Sequence, residues 1–156
     1  MELNGWLGTR AVAQIGIVVR DIEKATKAFA RLFGVPAPAW FETEPYETAK
    51  TEYRGRPTPA RAKLAFFDLG SLQLELIEPD EHPSTWREHL DTCGEGVHHI
   101  AFFVEDIAAK TSALERAGMR LLQKGEYPGG RYVYLDGADV VPAVLELLEN
   151  DGGIGR

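Results

Sequence analysis

The sequence predicts an α+β fold: two tandem βαβββ modules whose strands close into a cup-shaped, curved mixed sheet with the helices outside. Three observations predict it. The first is an internal repeat at an offset of 85 residues, the separation of Gln14 and His99. QIGIVVRDIEKATKAFARLFG falls on HIAFFVEDIAAKTSALERAG. Ile15, Val19, Asp21, Ile22, Thr26, Ala28 and Arg31 thereby meet identical residues at Ile100, Val104, Asp106, Ile107, Thr111, Ala113 and Arg116. The second is the close of each half, LELIE with Glu75 and LELLE with Glu146 at the same place. The third is the order of elements, a strand, a capped helix and then strand-rich sequence, which recurs in both halves. One such unit leaves a sheet face bare. Two units facing each other bury it.

Each element has a local reason. AQIGIVV is rich in β-branched residues and reads as a strand. Asp21 follows as an N-cap, and the helix runs to about Phe33, stopped by Gly34 with Pro36 beyond. Ile22, Ala25, Phe29 and Leu32 form its apolar stripe. Residues 38–78 are strand-rich and complete a first module over 11–79. A linker over 80–97 holds PSTWREHLDTCGEG, with a short helix opening after Pro83. The second module covers 98–149: HIAFFV is a strand, Asp106 a cap, the helix ends at Gly118, and 120–149 is strand-rich. NDGGIGR, residues 150–156, reads as a mobile tail.

Composition narrows the function. A net charge of −7 argues against a nucleic-acid partner, which requires a basic face. No apolar run is long enough to span a membrane, and MELNGWLGTR has neither the apolar region nor the cleavage site of a secretory signal. The single cysteine, Cys93, excludes an internal disulfide and suits a reducing compartment, so the expected location is cytoplasmic. Cys93 has no paired base in the sequence and reads as non-catalytic.

Gln14, Glu75, His99 and Glu146 are related positions from two copies of one unit. Strand side chains alternate between faces. Ile100, Phe102 and Val104 suit the helix side, which leaves His99, Ala101 and Phe103 facing inward; Gln14, Gly16 and Val18 match them. Glu75 and Glu146 sit among leucines on strands, where a carboxylate is costly unless paired or metal-bound. One imidazole, two carboxylates and an amide oxygen suit one divalent ion: Mn, Co, Ni, Fe, Mg or Zn. His98, of opposite parity, reads as structural, and His82 and His89 as solvated linker residues.

These segments resemble the vicinal oxygen chelate superfamily, which includes glyoxalase I, methylmalonyl-CoA epimerase, extradiol dioxygenases and bleomycin-resistance proteins. GVHHIAFFVEDI is similar to its third-ligand segment, LELIEP and VLELLE to its second- and fourth-ligand strands. FDLGSLQLELIEP followed by STWREHLDTCGEGVHHIA is most similar to the epimerase branch. The resemblance covers residues 11–149. It implies Gln14, Glu75, His99 and Glu146 as metal ligands, Glu75 and Glu146 as acid–base residues, a carbonyl or acyl-thioester substrate and a homodimer. One departure stands out: Gln14 occupies a position that holds histidine in the family, and an amide is the weaker donor toward transition metals.

For substrate contacts the expectations are Lys63, Gly129, Gly130 and Arg131. Lys63 belongs to a basic run with Lys50, Arg54, Arg56 and Arg61; the others lie in the glycine-rich YPGGR. Trp40, Phe41 and Tyr132 are candidates for an apolar wall, with only one of the adjacent pair able to face the cleft. The leading function is a metal-dependent isomerase or epimerase that stabilises an enolate, with Glu75 or Glu146 as base and Lys63 as a remote third option. The alternatives are a glyoxalase-like lyase and a non-catalytic small-molecule-binding or resistance protein of the same fold. Gln14 favours the non-catalytic reading and the other three ligands oppose it.

Overall fold

Strands form where β-branched and aromatic residues alternate, and the computed structural model, which describes residues 5–153, follows that alternation. The first module runs β1 (Gln14–Val18), α1 (Ile22–Phe33), β2 (Phe41–Glu42), α2 (Tyr46–Ala49), β3 (Glu52–Tyr53), β4 (Arg56–Pro57), β5 (Ala62–Asp68) and β6 (Gln73–Pro79). α3 (Thr85–Cys93) joins it to β7 (Gly96–Phe103), α4 (Ile107–Arg116), β8 (Arg120–Tyr127), β9 (Gly130–Asp136) and β10 (Val144–Asn150). Among the described residues no helix is long and apolar enough to cross a membrane.

These strands belong to one ten-stranded sheet in the order β2-β5-β6-β1-β7-β10-β9-β8-β3-β4. The repeat is visible in that order: β2-β5-β6-β1 is mirrored by β8-β9-β10-β7. β1 and β7 pair antiparallel at the centre, each with a parallel neighbour, β6 or β10. One piece has no counterpart. Residues 43–61 leave the β2 edge and place β3 against β8, at the far edge of the second module. The strand-rich reading of 38–78 did not anticipate this crossing, because pairing partners are not written in local propensity.

The caps follow from side-chain chemistry. Asp21 accepts from the backbone N–H groups of Glu23 and Lys24, and Gly34 closes the helix at φ 69°. Asp106 accepts from Ala109 N, and Ser84 from Arg87 N at the start of α3. The buried stripe of α1 is Ile22, Thr26 and Ala30, with Ala25 and Phe29 partly buried against the same core. Leu32, expected in the stripe, is 71% exposed, since Phe29 and Phe33 are the residues of the last turns that pack on Phe67 of the sheet.

Three apolar clusters result. One lies under α1, around Phe67, Leu74 and Leu76, and one under α4, around Leu114, Leu135 and Leu147. The third lies inside the cup, around Val18, Ile77, Trp86 and Tyr134. The tail is tied down at its start: Asn150 ends β10 opposite Gly130, and Asp151 N donates to Gly129 O. The remainder of the expected mobile tail, 154–156, lies outside the described residues.

Candidate metal centre

Strand register brings the four repeat-related residues together. Gly16 lies opposite His99 across β1 and β7, and opposite Glu75 across β1 and β6. Gln14 lies opposite Ala101, which in turn lies opposite Glu146. All four side chains are buried: His99 is 1% exposed and Glu146 4%. Gly16 makes the arrangement possible. A Cβ there would sit 2.0 Å from His99 Cε1, so the imidazole lies directly on the Gly16 backbone.

The donors converge on one ring nitrogen. His99 Nε2 lies 2.8 Å from Gln14 Oε1, 2.9 Å from Glu146 Oε2 and 3.8 Å from Glu75 Oε1. Adjacent ligands of a divalent ion, with bonds of about 2.1 Å at right angles, stand about 3 Å apart. Gln14 and Glu146 match that edge, and Glu75 is wider. The 2.9 Å approach of Glu146 to His99 makes no hydrogen bond. Glu146 Oε2 and Glu75 Oε1 are both buried without a hydrogen-bond partner among the described residues. Such orphaned anionic oxygens cost several kcal/mol unless something positive meets them. Burial first, and the neighbouring Glu146 second, push the Glu75 carboxyl well above its ordinary range; the Gln14 hydrogen bond opposes them. Two carboxylates, an imidazole nitrogen and an amide oxygen are a donor set suited to a divalent cation. Glu75 and Glu146 flank His99 without closing to within 4.8 Å of each other, so a shared ion requires Glu75 to move inward.

Outer partners orient two of the candidate ligands, Gln14 and His99. Gln14 Nε2 donates to Gln73 Oε1 at 2.6 Å and reaches Glu75 Oε2 at 3.4 Å, which turns the amide oxygen toward His99. His99 Nδ1 lies 2.9 Å from His98 Nδ1, and His98 Nε2 lies 3.1 Å from Thr85 Oγ1. With protons on His99 Nδ1 and His98 Nε2, each ring donates outward and His99 Nε2 keeps a free lone pair for a metal. Burial first, then His99 and His89, holds the His98 imidazole well below its usual range and so keeps it neutral. Gln123 anchors the far end, accepting from Thr85 N and donating to the Tyr132 hydroxyl.

Sequence reasoning missed His98. A bulge after Gly16 shifts the register of β7, so His98 and His99 are both buried and both pack on the Tyr134 ring. Alternation cannot signal a bulge. Gln73 was detectable, since it shares the face of Glu75 two residues on. His89 is half-buried rather than solvated, its ring 5.3 Å from that of His98.

The centre opens into a cavity of about 470 Å³ lined by residues of both halves. Phe41 and Tyr132 line it, while Trp40 points outward beneath Lys63 Nζ, 4.6 Å from its ring. The expected substrate contacts need correction. Lys63 lies on the outer face beside Glu78, and Arg131 pairs with Glu149 at 2.8 Å and with Asp151; neither lines the cavity. Their strand parity, opposite to Phe66 and Tyr132, is the reason. Gly129 and Gly130 are not lining residues either. Gly129 makes the turn at φ 88°, and Gly130 lets Tyr127, which does line the cavity, pack close. The basic run is largely neutralised, with Arg54 on Glu88 and Arg61 on Glu42. Asp80, Glu81 and His82 also gather near one another, but Asp80 accepts from the Arg61 and His82 backbone N–H groups and closes a turn. Cys93 is exposed on α3.

Residues 13–135 match the Glyoxalase/Bleomycin resistance protein/Dioxygenase superfamily, and the chain belongs to it. The uncharacterized protein YqjC of Bacillus subtilis (strain 168) is 28% identical over 141 residues, covering 88% of this chain and 91% of that protein. Among solved structures, methylmalonyl-CoA epimerase from Mycobacterium tuberculosis superposes with a TM-score of 0.62 at 22% identity, over 96% of this chain and 93% of that one. A point variant of Streptomyces coelicolor methylmalonyl-CoA epimerase, in complex with 2-nitronate-propionyl-CoA, gives 0.63 at 25% identity, over 95% of this chain and 99% of that one.

Proposed function

We propose that this chain is a divalent-metal-dependent isomerase or epimerase that removes and returns a proton beside a carbonyl, with Gln14, Glu75, His99 and Glu146 holding the ion. The observation that carries the proposal is the pair of buried carboxylate oxygens, Glu75 Oε1 and Glu146 Oε2, that flank His99 Nε2 at the base of a cavity without a hydrogen-bond partner among the described residues. The likeness to methylmalonyl-CoA epimerases supports it, and an acyl thioester is the finer form of the substrate. A bound ion supplies Lewis acidity to two adjacent substrate oxygens. The chain's own residues do the rest. Glu75 lines the cavity and stands wider from His99 Nε2, at 3.8 Å, than the Gln14 and Glu146 oxygens do, so Glu75 takes the proton from carbon and gives it back. Trp86, Tyr134 and Leu148 exclude water from the enolate.

The test is solvent exchange. Purified protein loaded in turn with Co, Mn, Ni, Zn, Fe or Mg is expected to place deuterium on the α-carbon of methylmalonyl-CoA or a related thioester, and chelator to abolish it. Turnover of a hemithioacetal without thioester exchange moves the assignment to the glyoxalase-like lyase. Gln14, the weaker donor, favours a second reading, a small-molecule-binding protein without catalysis. A folded protein that takes up none of those metals supports that reading and overturns the first.

A further inference from the structure

Beyond its metal-facing oxygens, the cavity offers a ligand no positive charge. Phe41, Leu64 and Phe66 line it from the first half, and Phe103, Tyr127 and Leu148 from the second. Among the described residues, no lysine, arginine or histidine lines it. The basic residues closest in sequence are turned away by strand parity, as Lys63 and Arg131 show. Carboxylates are present instead. Glu42 is balanced by Arg61 at 3.2 Å, whereas Glu44, half-buried, makes no ion pair with the described residues. A divalent ion balances Glu75 and Glu146 and leaves Glu44 uncompensated.

We infer that the part of a bidentate oxygen ligand seated inside the cavity, beyond the chelated oxygens, is uncharged and apolar, aromatic or branched aliphatic, and that the cavity rejects the same ligand bearing a further carboxylate there, the charged end of an acyl thioester staying outside. The inference rests on the metal-centre reading proposed above and adds the substrate class. A second anion beyond the chelated oxygens loses its hydration, meets no cation and faces Glu44. An apolar group instead buries against the phenylalanines and leucines of both halves. A volume of about 470 Å³ accommodates a ligand of that kind.

The experiment titrates the Co(II)-loaded protein with benzohydroxamate and with 4-carboxybenzohydroxamate, following the visible spectrum of bound cobalt and the heat of binding. Both probes present the same two adjacent oxygens. Benzohydroxamate is expected to bind about 30-fold tighter. Glu44→Lys is expected to narrow the gap several-fold by placing a cation at the wall, and Glu126→Lys, at an exposed lining position, to do so by less. Equal affinities, or tighter binding of the carboxylated probe, overturn the inference while leaving the metal centre intact. Binding of neither probe to a cobalt-loaded protein, or no uptake of cobalt, overturns the metal-centre reading and the inference with it.

Discussion

The two halves of the cup solve the same placement problem with different chemistry. In each, a residue of the first strand and a glutamate in the last strand point inward from parallel neighbours. The first half supplies an amide, Gln14, held by Gln73, and a glycine, Gly16. The second supplies an imidazole, His99, held by His98 and Thr85, and an alanine, Ala101, at the position equivalent to Gly16. The asymmetry is physical. The His99 ring lies across the central strand pair onto Gly16, so the first half must give up its Cβ to make room. Gln14 is thin and flexible and demands no such space, so Ala101 keeps its methyl. Duplication fixes where donors point. The local partners decide which donors they are.

The sharpest test of that comparison is ligand deletion. His99→Ala and Glu146→Gln, both in the second half, are each expected to weaken divalent-metal affinity more than about 100-fold, beyond what loss of an outer partner causes. Gln14→Ala should cost about tenfold, since an amide oxygen is a weak donor to transition metals. Equal losses in the two halves, measured by metal titration, would break the asymmetry. Gln14→His sharpens it, raising affinity for Co, Ni and Zn while lowering that for Mg, a hard ion that prefers oxygen donors.

Gly16→Ala comes next. The new methyl meets the imidazole and must displace it, so thermal unfolding is expected to show a loss of about 1–3 kcal/mol. Metal affinity should fall with it. At the equivalent position, Ala101→Gly should cost about 1–2 kcal/mol, from added backbone freedom and the loss of a fully buried methyl, and should leave metal affinity unchanged. Matched losses of stability and of metal affinity at both positions would show that the ring does not need that space.

His98→Ala should weaken metal binding about 10- to 100-fold, and His98→Asn, which can still accept from His99 Nδ1–H, should restore part of it. A merely structural His98 predicts no difference between the two variants once both are folded. The readout is the cobalt spectrum and its pH profile.

Much of this was legible in the sequence. The repeat and strand alternation named the facing residues of β1, β6, β7 and β10, because period and burial are both local facts. What escaped was set by geometry between elements. The β7 bulge reverses the expected parity of His98, and the crossing of residues 43–61 depends on which edge β3 finds. Lys63 stands in a basic run and Arg131 in the glycine-rich YPGGR, yet parity places them opposite Phe66 and Tyr132, away from the cavity.

The subtlest difference between the halves concerns Glu75 without metal. Burial and Glu146 raise its folded-state pKa above that of the unfolded chain, about 4.3. Below that pH both states hold the proton, and the site carries no penalty. As pH rises, the unfolded chain releases its proton while the folded chain retains it, so stability falls until the folded pKa is passed. Glu75→Gln removes the ionisation and keeps the shape. In chelator, the variant and the parent should therefore unfold at similar temperatures near pH 4, and the variant should pull ahead steadily as pH increases. Saturating divalent metal should reverse the order, because the parent gains a ligand that the amide supplies poorly. A gap in chelator that stays flat with pH would mean that Glu75 titrates alike in the folded and unfolded chains, and that burial is offset by something other than a proton or a metal ion.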